Sequence, residues 1–179
     1  MGVNNSTDTM TPKWYAVHVR SNQERKTAAF LEDRGVEHFL PVYKLRSVRR
    51  DRRVTLIKPL FTGYLFVHVD TQASERVEVL KAPGTVRIVG FGDGTATPVP
   101  DETIESLKIL VGEGEDSVRP HPMVRAGNRV RVVDGPFNGA LGVLQEKGGR
   151  KPHLVVEVEF LGRAVSVPIS TDQVQLVNG

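Results

Sequence analysis

From Trp14 to Ser21 apolar and polar positions alternate, with Tyr15, Val17 and Val19 on one face, the period of a half-buried strand. A helix is expected to follow at once. Ser21 and Glu24 have the spacing of a capping box, Thr27, Phe30 and Leu31 form an i, i+3, i+4 stripe, and Gly35 stands where a left-handed C-terminal cap is wanted. Two strand-like runs come next, HFLPVYKL (38–45) and VTLIKPLFTGYLFVHV (54–69), and the basic segment joining them reads as the tip of a β-hairpin. A short helix near Ser74–Leu80 ends before Pro83-Gly84, a strand covers Val86–Val89, and a helix from Asp101 to Val111 is expected to bury Ile104, Leu107 and Val111. The order β, α, β, β, α, β, α predicts an α+β fold, a ferredoxin-like split βαβ sandwich with one further helix.

After GEGEDSVRPHP (112–122), which has no periodicity and reads as a linker, the pattern becomes β throughout. Val130 and Val132 alternate, Asp134-Gly135-Pro136 makes a tight turn, and Leu141, Val143 and Leu144 form the next strand. LVVEVEF and AVSVPI add two more. The run GNRVRVVDGPFNGALGVL (127–144) resembles the KOW motif, a module of ribosomal proteins and transcription elongation factors, and implies an SH3-like barrel. The expected division is a tail over 1–12, an α+β domain over 13–111, a linker over 112–122 and a small barrel over 123–179.

Charge changes the picture locally more than globally. The net charge of the 179 residues is only +3, yet Lys44, Arg46, Arg49, Arg50, Arg52, Arg53 and Lys58 are opposed in their segment by Asp51 alone. A projecting hairpin with that composition suits phosphate contact, with Arg20 and Lys26 as neighbours in a wider basic surface. The bland alternative is a solvated loop whose charges keep an edge hairpin soluble. Acids gather instead between Asp93 and Asp116.

The composition also removes function classes. No apolar run approaches the ~18 residues of a spanning helix, and the polar opening lacks the apolar core of a signal peptide, so a cytoplasmic protein without membrane contact is expected. There is no cysteine, and His18, His38, His68, His121 and His153 are scattered without metal-ligand spacing. No phosphate-cradling G-x-x-x-x-G-K-[ST] loop and no convergent nucleophile or carboxylate pair is visible. The expectation is a binding protein with no catalytic residues, no cofactor and no metal.

Trp14-Tyr15, the capped first helix, KPLFTGYLFV (58–67), the Asp-Gly-Pro-Phe-x-Gly turn and FLGRAVSVPI (160–169), in this order, resemble the NusG family of transcription elongation factors over nearly the whole chain from Lys13. The resemblance implies an N-terminal (NGN) domain that grips the clamp helices of the largest RNA polymerase subunit through an apolar depression. Here that role falls on Phe61 and Tyr64, with Trp14, Tyr15 and His18 nearby. On a regular strand Phe61 and Tyr64 would point to opposite faces, so they share a patch only if Thr62-Gly63 bends the chain. The residues by themselves favour Phe61, Leu65 and Val67 as core, with Tyr64 on a sheet edge; the resemblance favours the shared patch.

The resemblance further implies that the hairpin arginines meet upstream duplex or non-template DNA. It assigns Phe160, Leu161 and Arg163 of the barrel to recruitment of the ribosomal protein NusE or the termination factor Rho. The compact stretch from Asn22 to Arg50 is closer to RfaH- and UpxY-type antiterminators than to housekeeping members, while the strongly β-patterned barrel argues against helical refolding. The expected function is that of a monomeric elongation factor that suppresses pausing and modulates termination or antitermination, specialised for particular operons. A ribosome- or RNA-associated KOW protein without polymerase contact is the alternative; the near balance of bases and acids after Met123 gives it little support.

Overall fold

The structure, a computed structural model, describes residues 11–49, 52–70, 74–90, 97–114, 116–122, 127–146, 150–158 and 161–177. It is mixed α/β. The alternation seen at the start of the chain becomes β1 (Lys13–Val19), which pairs antiparallel with β5 (Tyr64–Val69) on one side and β6 (Thr85–Ile88) on the other. β2 (His38–Phe39) adds to β5, giving a four-stranded sheet in the order β2-β5-β1-β6.

Both faces of this sheet are buried, so period 2 sorts apolar residues between two cores. Tyr15, Val17, Val19, Leu65, Val67 and Val69 pack against α1 (Glu24–Asp33) and α2 (Ser74–Lys81). Trp14, Ala16 and Phe66 face the other way, into a core shared with α3 (Asp101–Gly114). α1 ends as expected: Gly35 has φ +67, its N–H reaches the Glu32 carbonyl, and the Val36 N–H reaches that of Leu31, a Schellman arrangement. Arg34 bonds Glu78 on α2; the Lys81 hydrogen bond, aided by the Lys81 and Arg34 charges, holds the Glu78 carboxyl below its usual range.

The start of α1 departs from expectation. Asn22 has φ +66 and Gln23 is the N-cap, so Ser21 and Glu24 form no capping box. Glu24 is buried and its carboxylate accepts the Gly63 N–H at 2.8 Å. Gly63 has φ +82, and the Tyr64 N–H bonds the Phe61 carbonyl at 2.9 Å. That turn, conformationally inexpensive only for glycine, divides the run 54–69 into β4 (Arg52–Pro59) and β5. The run 38–45 is likewise divided at Pro41, which lacks a ladder donor, into β2 and β3 (Val42–Arg49). β3 and β4 form their own two-stranded sheet, from Val42 opposite Pro59 to Arg49 opposite Arg52.

The C-terminal residues build a six-stranded antiparallel sheet in the order β12-β8-β9-β10-β11-β7. Its strands are β7 (Arg119–His121), β8 (Asn128–Val132), β9 (Leu141–Gln145), β10 (His153–Val158), β11 (Arg163–Pro168) and β12 (Val174–Leu176). β7 lies in the stretch read as a linker and pairs with β11. α3 runs on to Gly114, and it buries Leu110 with Ile104 and Leu107 whereas Val111 is half-buried. It touches β1 of one sheet and β9 and β10 of the other, so one continuous core extends from Trp14 and Phe66 through α3 to Val132, Phe137, Leu154 and Val156. Among the described residues no helix is long and apolar enough to cross a membrane.

Glu24→Ala leaves the buried Gly63 N–H without its acceptor. The expected loss is about 1–3 kcal/mol, seen as a fall in melting temperature of roughly 2–4 °C per kcal/mol; an unchanged melting temperature would show that water replaces the carboxylate.

Candidate functional site

Strand register brings the aromatic residues of β1 and β5 together on the face turned toward α3. His18 stands opposite Tyr64 and Trp14 opposite His68. The rings stack across the strands, His18 on Tyr64 at 5.2 Å between centroids and Trp14 on His68 at 5.0 Å. Glu37 lies 2.7 Å from the Nδ1 of His68; because the carboxylate can only accept, that nitrogen carries the proton. Lys108 of α3 places its Nζ 4.9 Å from the centre of the Trp14 ring.

The five residues expected to grip a partner therefore do not form one open patch. Tyr64 is half-buried, and the bend expected at Thr62-Gly63 is present, but Phe61 is 1% exposed and packs edge-on against Phe66. Trp14 is buried beneath Lys108, and Tyr15 lies on the opposite face of the sheet in the core with α1 and α2. His18 and Tyr64 alone join partial exposure to a common face. Neither His68 nor Lys108 is expected at this face from the sequence, although His68 has the same parity as Tyr64 on β5; only the register with β1 sets it against Trp14.

At its Tyr64 end this face meets the C-terminal unit. Arg163 holds its guanidinium 5.2 Å from the centre of the Tyr64 ring, and Leu161 packs against the shared core. The two expected partner sites thus meet each other. Phe160 lies outside the described residues. Around this contact the Ser106 hydroxyl accepts the buried Leu141 N–H at 2.9 Å and donates to the Glu102 carbonyl at 2.7 Å. Phe137 sits so close to Gly114 that a Cβ there would come within 2.7 Å of its ring, and Arg129 pairs with Glu102 at 3.3 Å on the surface. A cleft of about 640 Å³ remains between residues 97–103 and β9 and β10. Its walls are mostly Pro98, Val99, Val143, Val155 and Val156, and its charged groups are Glu102, Arg129 and Glu157.

The basic arm is the β3–β4 pair. Arg46 and Arg53 are exposed and line a notch of about 390 Å³ with Ser47, Val54 and Thr55. Arg49 and Arg52 are paired through their backbones near the tip; Arg50 lies outside the described residues. Arg25 of α1 donates to the Ile57 carbonyl at 3.0 Å, tying the arm to the first helix, while Arg20 and Lys26 are both exposed. At its base Arg119 stacks over Tyr43 at 5.5 Å and Arg46 comes within 3.9 Å of Asp116.

Comparison with known proteins gives a consistent result. A family model described as "Transcription termination factor nusG" matches residues 12–108. The chain is 31% identical over 182 residues to the transcription termination/antitermination protein NusG of Thermus thermophilus, covering 92% of this chain and 98% of that one. It is 28% identical over 180 residues to the protein of that name from Pseudomonas aeruginosa, covering 94% and 100%. A solved structure titled "Domain interaction in Thermotoga maritima NusG" superposes with a TM-score of 0.53 at 24% identity, over 95% of this chain and 99% of that one, a likeness of fold.

A lysine at position 106 cannot be buried against Leu141 without leaving a charge unpaired, at a cost of several kcal/mol. Ser106→Lys is expected to separate the two sheets, increasing the radius of gyration in solution scattering and speeding proteolysis in the segment 114–118 by roughly tenfold or more. An unchanged scattering profile in the folded variant would mean that α3 does not hold them together.

Proposed function

The chain belongs to the NusG family, and on that premise we propose that it is an elongation factor whose N-terminal unit binds the clamp helices of RNA polymerase through the face carrying His18 and Tyr64. The relatives' shared name is that of a transcription termination/antitermination protein, which supports a role in transcription. In this reading residues 13–111 are an NGN domain of split βαβ type, and 123–179 are an SH3-like KOW barrel that recruits NusE or Rho through Leu161, Arg163 and Phe160. The basic arm lies along upstream or non-template DNA. The factor suppresses pausing, and its compact arm suits an operon-specialised member.

One observation carries the proposal: α3 covers the Trp14 end of the aromatic face, but at the other end, where His18 stacks on Tyr64, the half-buried tyrosine is met by Arg163 of the C-terminal unit. In the Arg163–Tyr64 contact the two proposed partner sites cover each other. Opening then exposes both sites together, so a ligand for either unit must favour binding at the other by the same factor. Apparent polymerase affinity falls with the fraction of open chains.

The test is binding of the full chain to purified cognate polymerase, with and without a clamp-helix peptide as competitor. Ser106→Lys is expected to bind more tightly than the parent chain, and adding Tyr64→Ala to it should cost about 1–3 kcal/mol. Phe61→Ala is unsuitable, since removing a buried phenylalanine costs roughly 3–5 kcal/mol of stability. Undiminished affinity after Tyr64→Ala would exclude this face; no binding by either chain would favour the ribosome- or RNA-associated reading. For the arm, Arg46→Glu with Arg53→Glu should weaken DNA binding and reduce the slope of log K against log salt by about 1–2.

A further inference from the structure

A small pocket at the C-terminal sheet belongs to none of the contacts above. It measures about 150 Å³ and is lined by His121 of β7, Gln145 of β9, Arg150 and Lys151 ahead of β10, and His153 of β10. Pairing of β9 with β10 sets Gln145 opposite His153, and β11 contributes Ala164 opposite His121 and Pro168 opposite His153, neither of them charged. Each ionisable group lining the pocket is a base. The acid next in sequence, Glu146, is exposed and does not line it.

Volume and chemistry together restrict the ligand. At ~30 Å³ per water the pocket has room for about five waters, which suits one tetrahedral oxyanion. Arginine and lysine supply charge, arginine in a fork that matches two phosphate oxygens, and the Gln145 amide can donate a neutral hydrogen bond. His121 adds a condition. Its Nδ1 lies 2.6 Å from the Pro122 carbonyl oxygen, which can only accept, so Nδ1 carries a proton in either charge state. Nε2 can therefore donate to an anion only when the ring is an imidazolium, and anion binding through it takes up a proton.

We propose that this pocket binds a single phosphate group, held by Arg150, Lys151, Gln145 and the protonated His121. The phosphate is either free orthophosphate or one linkage of an RNA strand. In the second case the C-terminal unit touches RNA through one backbone position, without reading bases, on residues separate from the Leu161–Arg163 loop.

The experiment is NMR of the full-length chain with labelled histidine, titrated with inorganic phosphate and, separately, with a short oligouridylate at constant ionic strength. The ring signals of His121 and His153 are expected to shift as either ligand is added. Arg150→Ala with Lys151→Ala, both exposed positions, should weaken the response about tenfold or more while His38 and His68 signals stay in place. Oligouridylate binding at least tenfold tighter than phosphate identifies an RNA linkage, and equal or weaker binding identifies free phosphate. Unmoved His121 and His153 signals with both ligands, or a response unchanged in the double variant, would overturn the proposal.

Discussion

Helix α3 serves two sheets at once, and the rest of the architecture depends on that. A surface helix buries one stripe against one layer. Here the buried set is broader, adding Ser106, Leu110 and Gly114 to Ile104 and Leu107, and it extends the core of the four-stranded sheet into that of the six-stranded one. The serine is the informative member. An apolar residue at 106 would leave the buried Leu141 N–H without the acceptor it has at 2.9 Å, whereas a hydroxyl can accept that proton and return its own to the Glu102 carbonyl. The polar link therefore specifies where the second sheet docks, and apolar burial stabilises it there.

A second constraint lies at Gly63. Because its left-handed turn is held by Glu24 from a distant helix, the chain leaves the two-stranded sheet at Pro59 and enters the main sheet at Tyr64. Two consequences follow from one break. The residues before it are free to form the projecting arginine arm, and the residues after it enter β5 with Tyr64 and His68 on the face opposite Leu65 and Val67. Phe61 turns inward at the bend and becomes part of the floor under that face.

Electrostatics act at the edges of this framework. The exposed pairs, Arg129 with Glu102 and Arg46 with Asp116, are worth little individually and weaken with salt. The interface accordingly draws on apolar contact and, among the described residues, on the buried Ser106–Leu141 hydrogen bond, while Arg46 and Arg53 of the arm are exposed.

Local pattern alone determined much of this protein. Alternation in Trp14–Val19, the stripe and C-terminal glycine of α1, the basic hairpin and the all-β character after residue 122 were evident because each depends on neighbours within a few positions. The matched motifs pointed to the family for the same reason, since their order and spacing lie in the sequence itself. Tertiary structure decided what depends on distant partners. Glu24 reads locally as half of a capping box, yet it bonds Gly63 because that buried N–H has greater need of a carboxylate than a solvated helix end has. The resemblance puts Phe61 and Tyr64 in one patch; a turn anchored by another helix buries one and leaves the other beneath Arg163. Residues 119–121 read as a linker, because a proline-containing edge strand shows no periodicity until its partner, β11, is in place beside it.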